Sequence, residues 1–352
     1  MIRLILIFTF LIVNLSQLSL AKIASVIGDP ISKEIFFEIN KDTRNYPASL
    51  TKIMTLYIIF EEIRLGKLNL NDQIVFSKYA TLQQPSKLNI DVNKSISLDQ
   101  AIDALIVKSA NDVAVAVAEK ISGSEKKFVK KMNEYAMTLE LKNTNFANPH
   151  GLPNKSNLSS AYDIFLLSSK LIKDYPEYLH RFKQIKINIK GKTYKTHNNL
   201  LLKDKKYIGL KTGYIRKSGF QISLLSKKNN DYLLGIYFGG NSAKERNNKI
   251  HFLMNKYQNK NSKVLVQKEI TNKDKSKRKI IVQTSSFKKI SLSKKHIVFM
   301  SNKFEFLSQF NHHIDKKGEY FTSYLEITNY NLANTICEEI KSKKLDCFVK
   351  TI

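Results

Sequence analysis

The residues Tyr-Pro-Ala-Ser-Leu-Thr-Lys at 46–52 run straight into an apolar, helix-favouring stretch, Ile-Met-Thr-Leu-Tyr-Ile-Ile-Phe at 53–60. This junction constrains the chain more than any other feature. Pro47 suits a helix entry, where its missing N–H is not needed, so Ser49 is expected in the first helical turn. Lys52 follows three residues later, and residues three apart share a helix face. A hydroxyl and an amine thereby become neighbours by construction. A serine hydroxyl is a poor nucleophile until a base takes its proton. Lysine is such a base only when neutral, and the positive end of a helix helps to lower its pKa.

Ser-x-x-Lys alone carries little in a lysine-rich chain: it starts at Ser19, Ser49, Ser124, Ser276, Ser285, Ser286 and Ser291. Three features set Ser49 apart. It opens an apolar helix, Ser109-Ala110-Asn111 follows as the single Ser-x-Asn, and Lys211-Thr212-Gly213 follows as the single Lys-Thr-Gly. Read in isolation, Ser109 and Asn111 look more like caps of the helix behind them.

A length of 352 residues suggests two domains, or one large and one small, and 43% hydrophobic residues suffice for a packed core. The N-terminus has the form of a signal peptide. Arg3 is the charged start, residues 4–13 the apolar stretch, and Ser19-Leu20-Ala21 the small-x-small cleavage site. That stretch falls short of the roughly 20 residues of a bilayer span, although an uncleaved anchor stays open. The mature chain is expected to begin near Lys22, in the periplasm.

The net charge of +28 has two readings. One is an anionic partner such as a wall surface or, peripherally, the inner membrane. The other is a coding bias toward Lys, Asn and Ile. No nucleic-acid motif appears, and no nucleic-acid partner is expected for an exported protein. The two cysteines, Cys337 and Cys347, both lie near the C-terminus, and the seven histidines show no ligand spacing. Neither a thiol nucleophile nor a metal site is therefore expected, and no cofactor. Gly-x-Ser-x-Gly is absent as well.

In order, the chain reads as a hairpin at 23–39, the Ser49 helix to about Arg64, and short strands and turns at 74–96. Two buried helical segments at 98–119 follow, with a polar turn at Ser109-Ala110-Asn111 that would line a cleft. An amphipathic helix at 125–139, a structured loop at 145–153 and a capped helix from about 159 come next. Strands at 183–193, 206–213, 220–225 and 232–238 and a helix from 241 to about 254 complete this part. Residues 256–279 carry nine basic against two acidic residues and read as a linker. An α+β module follows: strand 279–283, helix 303–310, strand 320–328, helix 331–343 and strand 346–351. Cys337 and Cys347, the only cysteines, are expected to form a disulfide in an oxidising compartment.

Ser-x-x-Lys, Ser-x-Asn and Lys-Thr-Gly in this order resemble the signature of the penicillin-binding proteins and serine β-lactamases. Residues 22–254 resemble the D-alanyl-D-alanine carboxypeptidases through 40–64, Lys108-Ser-Ala-Asn-Asp112, Asn148-Pro-His-Gly-Leu152, Gly209-Leu-Lys-Thr-Gly-Tyr214, Gly239-Gly240 and Lys244-Glu-Arg246. The resemblance implies an α/β fold: a mostly antiparallel sheet flanked by helices, plus a helical subdomain. It makes Ser49 the acylated nucleophile, Lys52 its base, Ser109 the relay to the leaving amine and Asn111 an orienting group. Lys211, Thr212 and Arg246 would bind the terminal carboxylate. Gly213 would admit an extended substrate, and the N–H groups of Ser49 and Tyr214 would form an oxyanion hole. His150 and His197 fall near the site, either as working groups or as satisfied structural histidines. Ile208 and Ile215 stand where relatives often carry Asp and Thr.

The C-terminal module resembles the sporulation-related (SPOR) repeat, which binds peptidoglycan, through Val282-Gln283, Phe287, Cys337-Glu-Glu-Ile-Lys341 and Leu345-Asp-Cys-Phe-Val349. The expected organisation is a signal peptide at 1–21, a serine D-Ala-D-Ala carboxypeptidase domain at 22–255, a basic linker at 256–279 and a SPOR-like α+β domain at 280–352. Stem peptides and glycan strands of peptidoglycan would be its partners, and β-lactams its inhibitors. Two other functions compete. A β-lactamase would want a Glu-x-x-Leu-Asn between Asn111 and Lys211, which is missing, and Ala110 replaces the Asp of Ser-Asp-Asn. A catalytically inactive wall-binding protein would not be expected to keep Ser49, Lys52, Ser109 and Lys211.

Overall fold

A computed structural model of the chain describes residues 23–228, 231–258, 280–304, 307, 310–327 and 330–351. The expected leader at 1–21 and most of the expected linker lie outside the described residues. Strands β1 (Ala24–Gly28) and β2 (Ile35–Ile39) form the expected antiparallel hairpin. Residues Ala48–Thr51 then make a tight 3₁₀ turn that feeds α1 (Lys52–Arg64). Ser49 thus sits in the 3₁₀ turn and Lys52 opens the α-helix proper, a tighter entry than the α-turn expected from sequence. The first eight residues after Lys52 in α1 are largely apolar and buried on every side, as a helix segment with no solvent face must be; Ile53, Met54, Leu56, Ile58, Ile59 and Phe60 are in the core.

A helical subdomain packs over α1. It holds the ribbon β3 (Gln73–Val75), short α2 (Lys78–Thr81), ribbon partner β4 (Ser95–Ser97), α3 (Leu98–Asp103), α4 (Asn111–Ser122) and α5 (Glu125–Thr138). A π-helical turn, Ala104–Lys108, ends α3, and Ser109 breaks it in a left-handed conformation at φ 61°. Helix α6 (Ala161–Asp174) is capped by Ser160, whose hydroxyl accepts from the Asp163 N–H. The expected strand at 183–193 is a ribbon of its own, β5 (Lys186–Ile189) with β6 (Lys192–Lys195), rather than part of the main sheet. After α7 (Leu200–Lys203), strands β7 (Tyr207–Ile215), β8 (Gly219–Lys228) and β9 (Asp231–Gly240) complete an antiparallel sheet in the order β2-β1-β9-β8-β7.

Alternation along the strands buries both faces of this sheet. Val26, Leu234 and Ile236 join the core with α1 and α6, while Ile27, Leu233 and Ile222 join the core under α8 (Ala243–Gln258). Helix α8 runs past the expected end near Met254. Ile250, Leu253, Met254 and Tyr257 are buried at helical spacing, so Lys256, Tyr257 and Gln258, assigned to the linker by composition, are helical. The run of basic residues masked one further turn of that apolar stripe.

The C-terminal residues form a second antiparallel sheet, in the order β11-β12-β10-β13: β10 (Ile280–Phe287), β11 (His312–Lys317), β12 (Tyr320–Ile327) and β13 (Phe348–Thr351). Helices α9 (Ile290–Lys303) and α10 (Tyr330–Ser342) cover one face, around Val282, Leu325, Ile336 and Ile340. Two expectations are corrected. Helix α9 ends where a helix was expected to begin, much of that expected helix at 303–310 lying outside the described residues, and neither α9 nor β11 was foreseen. Lys289 gives α9 no side-chain cap, and Ser293 and Met300 are its only buried residues, so the helix has neither a start signal nor an apolar stripe. Helix α10 rests beside α8 through the ion pairs Lys249–Glu339 and Lys256–Glu338.

Cys337 and Cys347 are joined in a disulfide that ties α10 to the approach of β13. Closing so short a loop is worth about 2–3 kcal/mol. Cys337→Ser is therefore expected to lower amide-exchange protection in β12 by that order while leaving β8 unchanged. Equal loss in both strands would show instead that the two sheets unfold as one.

Candidate active site

Lys52 is fully buried at the first turn of α1. Its Nζ donates to Asn111 Oδ1 at 2.7 Å and to the His150 carbonyl at 2.7 Å, and Ser49 Oγ lies 3.3 Å away. Two of these neighbours are carbonyl oxygens, which only accept. A neutral amine has two N–H groups for them and keeps its lone pair for the Ser49 hydroxyl. Burial holds the Lys52 pKa well below the usual lysine range, the nearby Lys211 charge adds to this, and Asp112 opposes it. Geometry and electrostatics agree on a neutral amine against a serine hydroxyl.

Asn111 reaches this position because α4 starts only after the left-handed Ser109. Its Nδ2 donates to the Gln84 carbonyl at 2.8 Å and its N–H to the Ser86 carbonyl at 2.7 Å, which leaves Oδ1 for Lys52. Next to it, the buried Asp112 carboxylate accepts from the N–H groups of Leu88, Asn89 and Val113. It pins the 84–89 loop beside Ser109. The Ser109 hydroxyl is buried and has no hydrogen-bond partner among the described residues, so it is free to take or give a proton.

The loop around His150 forms the far wall. Thr55 Oγ1 donates to the Pro149 carbonyl at 2.6 Å. The His150 Nδ1 accepts from the Leu152 N–H at 3.0 Å, and burial above all holds the imidazole down to about 3. His150 is thus a neutral, satisfied histidine that serves the site through its backbone carbonyl. Gly151 must be glycine: at φ 89°, a Cβ would stand 1.8 Å from the Ala48 carbonyl oxygen.

Strand β7 is the free edge of the main sheet, and it brings the third motif onto the Ser49 turn. A Cβ on Gly213 would meet the Ser49 amide nitrogen at 3.2 Å, so the strand edge and the nucleophile turn form two lips of one cleft. Ser49, Ser109, Asn111, Thr212, Gly213, Tyr214, His197 and Arg246 line that cleft, of about 310 Å³. Lys211 is buried, donates to the Thr212 carbonyl at 3.1 Å, and is held down to about 7 by burial and by Arg246. Arg246 Nη1 donates to the Gln221 carbonyl at 3.0 Å; burial lowers it only to about 10 and leaves it a cation. His197 stands in the cleft wall, lowered to about 4 by burial and the surrounding lysines and arginine.

The structure thus brings together every site residue expected from the three motifs, along with Arg246 and His197. Sequence reading gave no role to Asp112, the His150 carbonyl, or Gln84 and Ser86. Asp112 stood inside a quoted motif as its signal; the backbone carbonyls left none.

The charge states set the pH dependence of the free protein. Lys52 must be neutral to take a proton, and Lys211 must be charged to hold a carboxylate. As pH rises through about 7, Lys211 loses its charge, so acylation by an anionic substrate, measured as a second-order rate, should fall. Lys211→Arg keeps the cation at any pH and is expected to move this limb upward by more than one pH unit. An unmoved limb would assign it to another group.

A family model described as D-alanyl-D-alanine carboxypeptidase matches residues 13–242. The chain is 33% identical over 242 residues to D-alanyl-D-alanine carboxypeptidase DacF of Bacillus subtilis, covering 66% of this chain and 61% of that protein. The chain therefore spans about three fifths of the length of such curated relatives. Among solved structures it resembles penicillin binding protein 5 from Haemophilus influenzae at a TM-score of 0.63 and 30% identity, over 76% of this chain and 72% of that one. It also resembles penicillin-binding protein D2 from Listeria monocytogenes in its cefotaxime-bound form, at a TM-score of 0.61 and 28% identity, over 68% and 96% respectively.

Proposed function

The chain belongs to the D-alanyl-D-alanine carboxypeptidase family, and on that premise we propose that it is a serine-type, penicillin-sensitive enzyme that removes the terminal D-alanine from peptidoglycan stem pentapeptides. The neutral, buried Lys52 amine against the Ser49 hydroxyl is the observation that carries this reading.

In the proposed course, the substrate lies extended along the edge of β7, as an added strand would. Its terminal carboxylate meets Lys211, Thr212 and Arg246. Lys52 takes the Ser49 proton as Oγ attacks the carbonyl between the two D-alanines. The N–H groups of Ser49 and Tyr214 hold the developing oxyanion. The proton passes through Ser109 to the departing amine, the C–N bond breaks, and an ester on Ser49 remains. Water then adds to the ester, giving its proton to Lys52; as the acyl C–Oγ bond breaks, Lys52 returns that proton to Ser49 and the shortened peptide leaves. Asn111 keeps Lys52 and the substrate amide in register. A β-lactam would enter by the same attack and stay as an ester.

Labelled penicillin is expected to attach to the protein at Ser49, and Ser49→Ala to abolish labelling. Lys52→Arg keeps a long basic side chain but, being permanently charged, has no lone pair to offer. Its acylation rate should drop by at least about 10³-fold, the scale of a general base. Normal labelling of either variant would remove that residue from the mechanism.

The domain division at 22–255 and 280–352, export to the periplasm and the SPOR-like identity of the second sheet belong to the same proposal. The second sheet, with its own core around Val282 and Ile340, would hold the enzyme on glycan strands, and the basic residues at 256–279 would add a salt-sensitive attraction to anionic wall or membrane. Deletion of 280–352 should abolish retention on purified sacculi at moderate salt yet leave turnover of soluble pentapeptide intact. Undiminished retention would place the wall contact elsewhere.

A further inference from the structure

The excess of basic residues is not evenly spread. Residues 178–230 contain 14 Lys and Arg against one acid, Asp204, whereas the whole chain has 58 against 30. Asp204 is spent on Lys206. A coding bias toward lysine explains the abundance but not the near absence of acids in this one stretch.

The ribbon β5–β6 is the exposed centre of it. Its inner side chains, Ile187 and Ile189, are buried in the main core. Lys186 stands directly opposite Lys195 across the ribbon, and Lys190 and Lys192 flank its turn. All four lysines are exposed, and none has a carboxylate at salt-bridge distance among the described residues. Like charges directly opposed on a ribbon are destabilising, so the fold carries this arrangement at a cost.

The ribbon also adjoins the cleft. The Tyr194 hydroxyl donates to the Leu88 carbonyl at 3.0 Å, and Lys108 lies over its ring at 5.6 Å. Leu88 belongs to the loop whose Pro85 and Ser86 line the cleft, and His197, two residues after Lys195, stands in the cleft wall. The lysines thus form a rim beside the bound peptide rather than a patch on the back of the molecule.

We infer that the β5–β6 ribbon is a docking rim for the acidic body of the substrate: a wall peptide with ionised carboxylates beyond the one at its scissile end. This rests on the proposed carboxypeptidase reading and names a part of the substrate that the cleft itself does not hold. A one-signed rim at a cleft raises the encounter rate with an oppositely charged substrate, an effect that salt removes.

The full-length protein is compared with K186Q/K190Q/K192Q/K195Q on two soluble pentapeptides. In one only the terminal carboxylate is ionised; the other carries two more. At low salt, kcat/KM for the acidic peptide should fall by about tenfold, through KM, with the blocked peptide unchanged. The difference should vanish near 1 M salt, where the Debye length is about 3 Å. An equal change for both peptides, or none, overturns the inference.

Loss of the same charge on α5 and beyond, in K126Q/K127Q/K130Q/K142Q, should leave the ratio intact; a matching loss there would make the effect one of net charge and refute the rim. Unchanged peptide kinetics with loss of retention on phosphatidylglycerol vesicles would make the ribbon a membrane surface, which also refutes it. Penicillin labelling separates the two levels. A wild-type protein that does not label fails the carboxypeptidase reading itself. Equal labelling of both proteins with an unaltered acidic-to-blocked ratio fails the rim alone.

Discussion

Everything in this structure turns on keeping Lys52 out of water. Burying an ammonium ion is expensive unless a carboxylate pairs with it, and otherwise the group gives up its proton. Among the described residues Lys52 has no such partner: Asp112, the acid whose charge it feels, spends its oxygens on the backbone N–H groups of Leu88, Asn89 and Val113. The amine is instead set among neutral acceptors and a hydroxyl. A second buried lysine, Lys211, raises the cost of charging it. Lys127, three residues after Ser124, is exposed to water and has no such enclosure.

That constraint explains the architecture around it. To dehydrate the first turn of a helix, the chain must close over it from several sides. The largely apolar run at 53–60 sinks the start of α1 into the core. The π-helical turn and left-handed Ser109 deliver Asn111 from the helical subdomain. The 145–153 loop supplies the His150 carbonyl and is locked to α1 through Thr55. Strand β7 closes the last side and, as a sheet edge, leaves its backbone open to an extended peptide. The glycines at 151 and 213 are the points where backbone meets backbone too closely for any side chain.

The same closure gives the cleft its electrostatics. Burial lowers both Lys211 and Arg246, and the Arg246 charge lowers Lys211 further, so this corner of the cleft concentrates positive potential. His197 in the same cleft is held neutral by burial first and by these cations second. Outside the cleft, charge acts at longer range and in water, where single pairs such as Lys256–Glu338 contribute at most about 1 kcal/mol.

The sequence by itself determined the three motifs, the hairpin at the start, the main sheet, most helices and the pairing of the two cysteines. These are local signals: period two or 3.6, a cap, a turn, a motif spaced within a few residues. It misjudged α8, whose last apolar turn is hidden among lysines, and α9, whose polar surface and missing cap leave no periodic stripe. What only the tertiary structure decided is that the lysine of the Ser49 pair is dry. Lys52 meets Asn111 across 59 residues and the His150 carbonyl across 98, and a backbone carbonyl has no residue type to betray it. Desolvation is a property of everything packed around a group, so no spacing along the chain could show that this lysine is an amine.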